Sequence, residues 1–154
     1  MKILLAIDGS LYSDRAVEEV ARRPWPMGSA VKILTVVEPP FQPFSHTWVM
    51  PEGYYDDLER AGDDHARSIV EKAAERLRTA ETASLEVTTD IVRGYPKEAI
   101  LATAEQWGAD LIVVGSHGYR GLTRLLLGSV AQAVAAHAHC SVEIVRAREA
   151  AEGE

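Results

Sequence analysis

The chain has 154 residues, 47% of them hydrophobic, with a formal charge of −7 and a single cysteine; this is one domain's worth, with enough apolar side chains for a packed core. The acidic balance argues against nucleic acid, which needs a basic face, and Cys140 alone excludes an intramolecular disulfide or a Cys-based metal cluster. No apolar run reaches the roughly 18 residues of a membrane span, and the chain starts on a strand-like run rather than a signal peptide, so the protein is expected to be cytoplasmic.

Strand-like and helix-like segments alternate. Ile3 to Ile7 is a short apolar run closed by Asp8-Gly9-Ser10, a turn and cap cluster. A helix is expected from Leu11 to Arg23, with Ala16, Val17, Val20 and Ala21 on one face, stopped by Pro24 and Pro26. Val31 to Val37 reads as the second strand. The second helix runs from Tyr55 to Thr79, where Ala66, Ile69, Val70, Ala73, Ala74 and Leu77 fall at 3–4 spacing. Leu85 to Val92 alternates as a third strand. Pro96 starts the third helix and Gly108 ends it. Asp110 to Val114 is almost wholly apolar, as a strand buried on both faces should be. A fourth helix is expected from Leu122 or Leu125 to His137, and Val142 to Val145 is the fifth strand.

Five strands alternating with four helices predict a single α/β domain over residues 1–146, a doubly wound parallel sheet with helices on both faces. Residues 147–154 form a short charged tail expected to fray. The connection from Glu38 to Tyr54 is unusual, with four prolines and four aromatic residues. It leaves the sheet edge where open α/β folds bind ligands, so it reads either as a lid or partner contact, or as a surface loop packed on the body.

The segment after the fourth strand carries the chemistry. Gly115-Ser116-His117-Gly118-Tyr119-Arg120-Gly121, followed by Leu125-Leu126-Leu127-Gly128-Ser129-Val130, is a glycine-rich turn leading into a helix. Glycines permit positive φ and close ligand approach, and amides at a helix N-terminus make an anion nest. A Walker A loop is excluded by the absence of any Gly-Lys pair, and a dinucleotide fingerprint by the spacing and the late position.

The spacing Gly115-x2-Gly118-x9-Gly128-Ser129 resembles the ATP-binding signature of the universal stress protein family. Ile7-Asp8-Gly9-Ser10, Gly94-Tyr95-Pro96, Ala109 to Gly115 and His137-Ala138-His139-Cys140 match that family in order along the chain. The resemblance implies strand order 3-2-1-4-5, with ATP as ligand and Mg²⁺ or Mn²⁺ held through the phosphates rather than by a protein cage. It places Asp8 facing the adenosine, and Ala6 and Val37 beside the adenine. Gly115 passes under the ribose and phosphates. Gly118, Gly128, Ser129 and Val130 give amides to the phosphates, and Ser129 a hydroxyl as well. His117 lies within the loop, and Arg120 stands one residue beyond the family's usual arginine position, which Tyr119 fills. The resemblance also implies a homodimer through the last strand (Val142, Ile144, Val145). Glu143 interrupts that strand, and a charge there can either guard the edge against pairing or point away from a seam.

The function implied is that of an ATP-binding, dimeric stress-response sensor or regulator, with unidentified protein partners. A slow ATPase or phosphotransferase is the alternative from the enzyme class; it needs a base and cations around the transferring group, and His117 has no evident orienting partner in the sequence. A nucleotide-free interaction module using the aromatic loop is a third. His137 and His139 are two residues apart, unsuited to chelation from one helix face and better placed to complement a helix C-terminus.

Overall fold

Ile3-Leu4-Leu5 and Leu111-Ile112-Val113 are apolar at every position, so strands built from them need cover on both faces. The fold supplies it. The computed structural model describes residues 1–39, 52–79, 85–118 and 126–146. Its elements in chain order are β1 (Lys2–Ala6), α1 (Leu11–Arg22), β2 (Ala30–Val37), α2 (Tyr54–Thr79), β3 (Glu86–Arg93), α3 (Pro96–Trp107), β4 (Leu111–Gly115), α4 (Ser129–His137) and β5 (Ser141–Val145). The five strands form one parallel sheet in the order β3-β2-β1-β4-β5.

Alternation along the strands divides the core in two. Ile3, Leu5, Val31, Ile33, Leu111 and Val113 pack against α1 and α2, with Val17, Val20, Val70 and Leu77 filling that layer. Leu4, Ala6, Leu34, Ile112 and Val114 face the other way, onto Ile100 and Ala104 of α3 and Ala131 and Val134 of α4. Cys140 is a half-buried filler beside this second layer; burial, with the charge of Asp110 nearby, pushes its thiol up. Among the described residues, no helix is long and apolar enough to cross a membrane.

The helix ends follow the expected chemistry. Ser10 caps α1, its Oγ accepting from the Ser13 N–H at 3.3 Å while Ser13 Oγ donates to the Ser10 carbonyl at 3.0 Å. Ser10→Ala is therefore expected to cost about 1 kcal/mol in urea unfolding. Pro96 opens α3, and Gly108 closes it at φ 68°, ψ 50°, a left-handed conformation that a Cβ would disfavour.

The fourth helix departs from expectation. The apolar spacing extends it back to Leu122 or Leu125, but α4 begins at Ser129. Gly128 is extended at φ −60°, ψ 152°, and its N–H donates to the Ser116 carbonyl at 2.8 Å. That bond commits Gly128 to the preceding loop, and so the helix cannot run through it. Other boundaries shift by a residue.

Glu143 has a partner within the chain. It points to the α1 side of the sheet, where both carboxylate oxygens accept from Arg23, at 2.7 and 2.8 Å. The Glu143 carboxylate, with Glu19 beside it, holds the Arg23 guanidinium pKa above its usual value. Val142 and Ile144 lie against the α3/α4 layer and Val145 against the α1/α2 layer.

Candidate functional site

The order of the strands sets the site. The chain leaves β1 toward β2 and β3, then returns to place β4 on the other side of β1, so the strand order reverses between β1 and β4. A crevice is expected beyond the C-terminal ends of those strands. A cavity of about 590 Å³ lies there, in the range of small-molecule sites. Its walls are Ala6 of β1, Leu34 and Val36 of β2, Val114 and Gly115 of β4, Pro96 and Ile100 of α3, and the 128–131 start of α4.

Of the sequence-predicted residues, Ala6, Asp8, Gly115, His117, Gly118, Gly128, Ser129 and Val130 line this cavity. Val37 does not. Strand alternation puts Val36 and Glu38 on the cavity side, and Val37 on the opposite side, where its Cγ1 lies 3.4 Å from the point a Cβ on Gly62 of α2 would occupy. Its carbonyl accepts from the Gly94 N–H at 3.0 Å. Arg120, together with Tyr119, Gly121 and Arg124, lies outside the described residues, as do residues 40–51 of the aromatic connection and the tail from 147. Val36, Glu38, Pro96 and Ile100 were not anticipated.

Asp8 serves two purposes. Its Oδ1 accepts from the Ser10 N–H at 2.9 Å, which holds the turn into α1. Its Oδ2 reaches across the loop, to 2.7 Å from where a Cβ on Gly118 would sit.

Of the two reasons expected for these glycines, positive φ and close ligand approach, the first does not apply. None of Gly115, Gly118 and Gly128 has positive φ. What each avoids is a collision. A Cβ on Gly115 would lie 2.7 Å from the Tyr12 carbonyl carbon and 2.8 Å from its oxygen, so β4 and the start of α1 meet backbone to backbone. A Cβ on Gly128 would come to 3.2 Å of both His117 Cα and the Ser116 oxygen. A substitution at Gly128 thus presses on the loop backbone itself before it fills any ligand path.

Several contacts hold the described part of the loop. Ser116 N–H donates to Val145 of β5 at 2.8 Å, and the Ser116 carbonyl accepts from Gly128. Ser116 Oγ lies 3.1 Å from His117 Nδ1. The His117 ring packs on Tyr12, with centroids 4.9 Å apart and planes at 43°. Ser116 is 2% exposed and does not line the cavity, so its hydroxyl serves the loop.

Helix geometry supplies donors at the same place. The first intrahelical bond of α4 is Gln132 N–H to the Gly128 carbonyl, 3.0 Å. The preceding N–H groups, of Ser129 to Ala131, therefore belong to the open end of the helix, which borders the cavity. The described lining side chains contribute two carboxylates, Asp8 and Glu38, and no lysine or arginine. An anion here would be bound chiefly by main-chain N–H groups and the helix dipole. No group of three or more His, Cys, Asp or Glu suited to a metal occurs among the described residues.

Comparison with known proteins shows the family and the fold. The model of the universal stress protein family matches residues 1–146. The chain is 33% identical over 148 residues to universal stress protein YxiE of Bacillus subtilis, covering 94% of this chain and 98% of that one. Among solved structures, protein MJ0577 superposes with a TM-score of 0.80 at 28% identity, covering 97% of each chain; its source is Methanocaldococcus jannaschii. A universal stress protein solved in complex with cAMP superposes at 0.67 with 25% identity, covering 95% of this chain and 96% of that one.

Proposed function

This chain belongs to the universal stress protein family, and from that premise we propose that it binds an adenine nucleotide, ATP foremost, in the cavity between β1 and β4. The observation that carries the reading is the meeting of a glycine-lined loop, the open N-terminal end of α4 and an apolar slot in one cavity at the point of strand reversal. The solved relative holding cAMP supports a nucleotide of this class.

The parts divide by chemistry. Val36, Pro96 and Ile100 offer apolar surface to a base. Asp8 and Glu38 are acceptors suited to ribose hydroxyls or an exocyclic amine. The amides of Ser129 and Val130, with the Ser129 hydroxyl, would take the phosphates. With carboxylates in the wall and a net charge of −7, a polyphosphate is best accommodated with Mg²⁺ or Mn²⁺ carried on its own oxygens, as Mg²⁺ commonly is. His117 is read as a further phosphate contact, and the family resemblance proposes Arg120 as another.

The nucleotide is read as a regulatory ligand in a cytoplasmic stress-response regulator, not as a substrate turned over. Among the described lining residues His117 is the one imidazole, and its Nδ1 already faces Ser116 Oγ. The protein is further proposed to pair as a homodimer along the β5 edge. Glu143 is engaged by Arg23, so its charge is not spent on guarding that edge. Sedimentation at twice the 16.8 kDa chain mass is the expected result; a monomer at tens of micromolar would contradict the pairing.

Denaturing the purified protein and chromatographing the filtrate tests the binding. A stoichiometric nucleotide peak, or saturable calorimetric binding of Mg²⁺–ATP to stripped protein, is expected, with the nucleotide intact after prolonged incubation. Absence of both bound and bindable nucleotide would contradict the proposal, and steady release of ADP would favour the ATPase alternative.

A further inference from the structure

Tyr12 has no evident duty in folding. It stands in the first turn of α1, where Ser13, Ala16, Val17 and Val20 are the buried positions. It belongs to neither core layer. Tyrosine is a poorer helix former than alanine, and the start of α1 is already secured by the Ser10 cap and the Asp8 turn. What its side chain does touch is the ring of His117, 4.9 Å away.

The placement matters because of what His117 adjoins. His117 and Gly118 both line the cavity. The hydrogen bonds from Ser116 N–H to Val145 and from Gly128 N–H to Ser116 both hold the loop at Ser116. Tyr12 acts one residue further on, where the chain turns toward Gly118. Its own carbonyl is the surface against which Gly115 closes. Tyr12 thus abuts the loop at Gly115 through its backbone and at His117 through its ring.

We infer that Tyr12 is a positioning residue for the phosphate end of the nucleotide site, its ring fixing His117 so that the 116–118 backbone is pre-ordered before ligand arrives. The inference rests on the nucleotide reading for its consequence, though not for its mechanism. A loop ordered in advance loses less conformational freedom on binding. Aromatic pairs of this geometry carry enough energy for a roughly 3- to 10-fold change in affinity. The ring is the operative part, so the hydroxyl is dispensable.

Two readouts separate the possibilities. Amide hydrogen exchange needs no ligand: Tyr12→Leu, which keeps apolar bulk, and Tyr12→Ala should both speed exchange at His117 and Gly118, while Tyr12→Phe matches wild type. Mg²⁺–ATP calorimetry should then give a Kd raised roughly 3- to 10-fold for Tyr12→Leu and Tyr12→Ala, within twofold of wild type for Tyr12→Phe. In a His117→Ala background the further effect of Tyr12→Leu should largely vanish, as coupled neighbours require. Unchanged exchange in Tyr12→Leu, or an undiminished effect without His117, overturns the inference. Failure of wild type to bind any nucleotide overturns the functional reading instead, and leaves the exchange experiment to decide the role of Tyr12.

Discussion

Gly115→Ala is expected to destabilise the protein by about 3 kcal/mol, because the added methyl has no room and the atoms in its way are main chain. The Cβ would stand 2.7 Å from the Tyr12 carbonyl carbon, 2.8 Å from its oxygen and 3.0 Å from the Ser13 nitrogen. A flexible side chain could swing aside; the first turn of α1 cannot without disturbing the Ser10 cap and the buried Ser13. The whole helix must move outward from β4, opening the layer built by Val17, Val20 and Val113. For a chain of this size, 3 kcal/mol corresponds to a melting point lower by roughly 6–12 °C. Urea unfolding and calorimetry read both quantities. A loss below about 1 kcal/mol would show that α1 and β4 are not in contact as described.

Gly118→Val has the opposite profile. It is expected to weaken nucleotide binding at least about 100-fold, equivalent to nearly 3 kcal/mol of binding energy, while changing stability by less than about 1 kcal/mol. Gly118 is exposed at the cavity mouth, and the atom its Cβ would meet is Asp8 Oδ2, at 2.7 Å. A carboxylate at the end of a side chain can turn away. The branched side chain would then occupy the ligand's path and displace Asp8 from the wall. Calorimetric titration with Mg²⁺–ATP, paired with a denaturation curve on the same sample, tests both halves. Wild-type affinity in a folded Gly118→Val protein would remove the 115–118 loop from the site. The two glycines are three residues apart, yet a Cβ on Gly115 meets main chain and one on Gly118 meets the end of a side chain.

That distinction was not legible in the sequence. The Gly115, Gly118 and Gly128 spacing suggested both positive φ and close ligand approach, and none of the three adopts positive φ. What a Cβ would meet is distant in the chain, Tyr12 for Gly115 and Asp8 for Gly118, both brought close by the parallel pairing of β1 with β4. Periodicity gave the elements and their alternation readily, because a doubly covered parallel sheet makes long apolar strands between amphipathic helices. It failed where both faces are apolar. In Ile33-Leu34-Thr35-Val36-Val37 nothing in the pattern says which parity faces the cavity, and so Val37 is expected at a wall that Val36 lines. It also overran the start of α4, because leucine spacing continues through a segment that Gly128 interrupts by bonding back to Ser116. Nor could the sequence show that Glu143 pairs with Arg23, 120 residues away.

Pro96 and Ile100 had a signal that went unused. A helix beginning with proline just after a turn at the C-terminal end of β3 puts its first two turns beside the strand-reversal crevice, so its inward positions are candidates for the ligand wall.

The most direct test of the central claim is a heteronuclear NMR titration of the stripped, isotope-labelled protein with Mg²⁺–ATP. The account predicts saturable amide shifts concentrated at Ala6–Asp8, Val36–Glu38, Gly115–Gly118 and Gly128–Ala131. No shifts at millimolar nucleotide, or saturable shifts confined to other surfaces, would contradict a nucleotide site between β1 and β4.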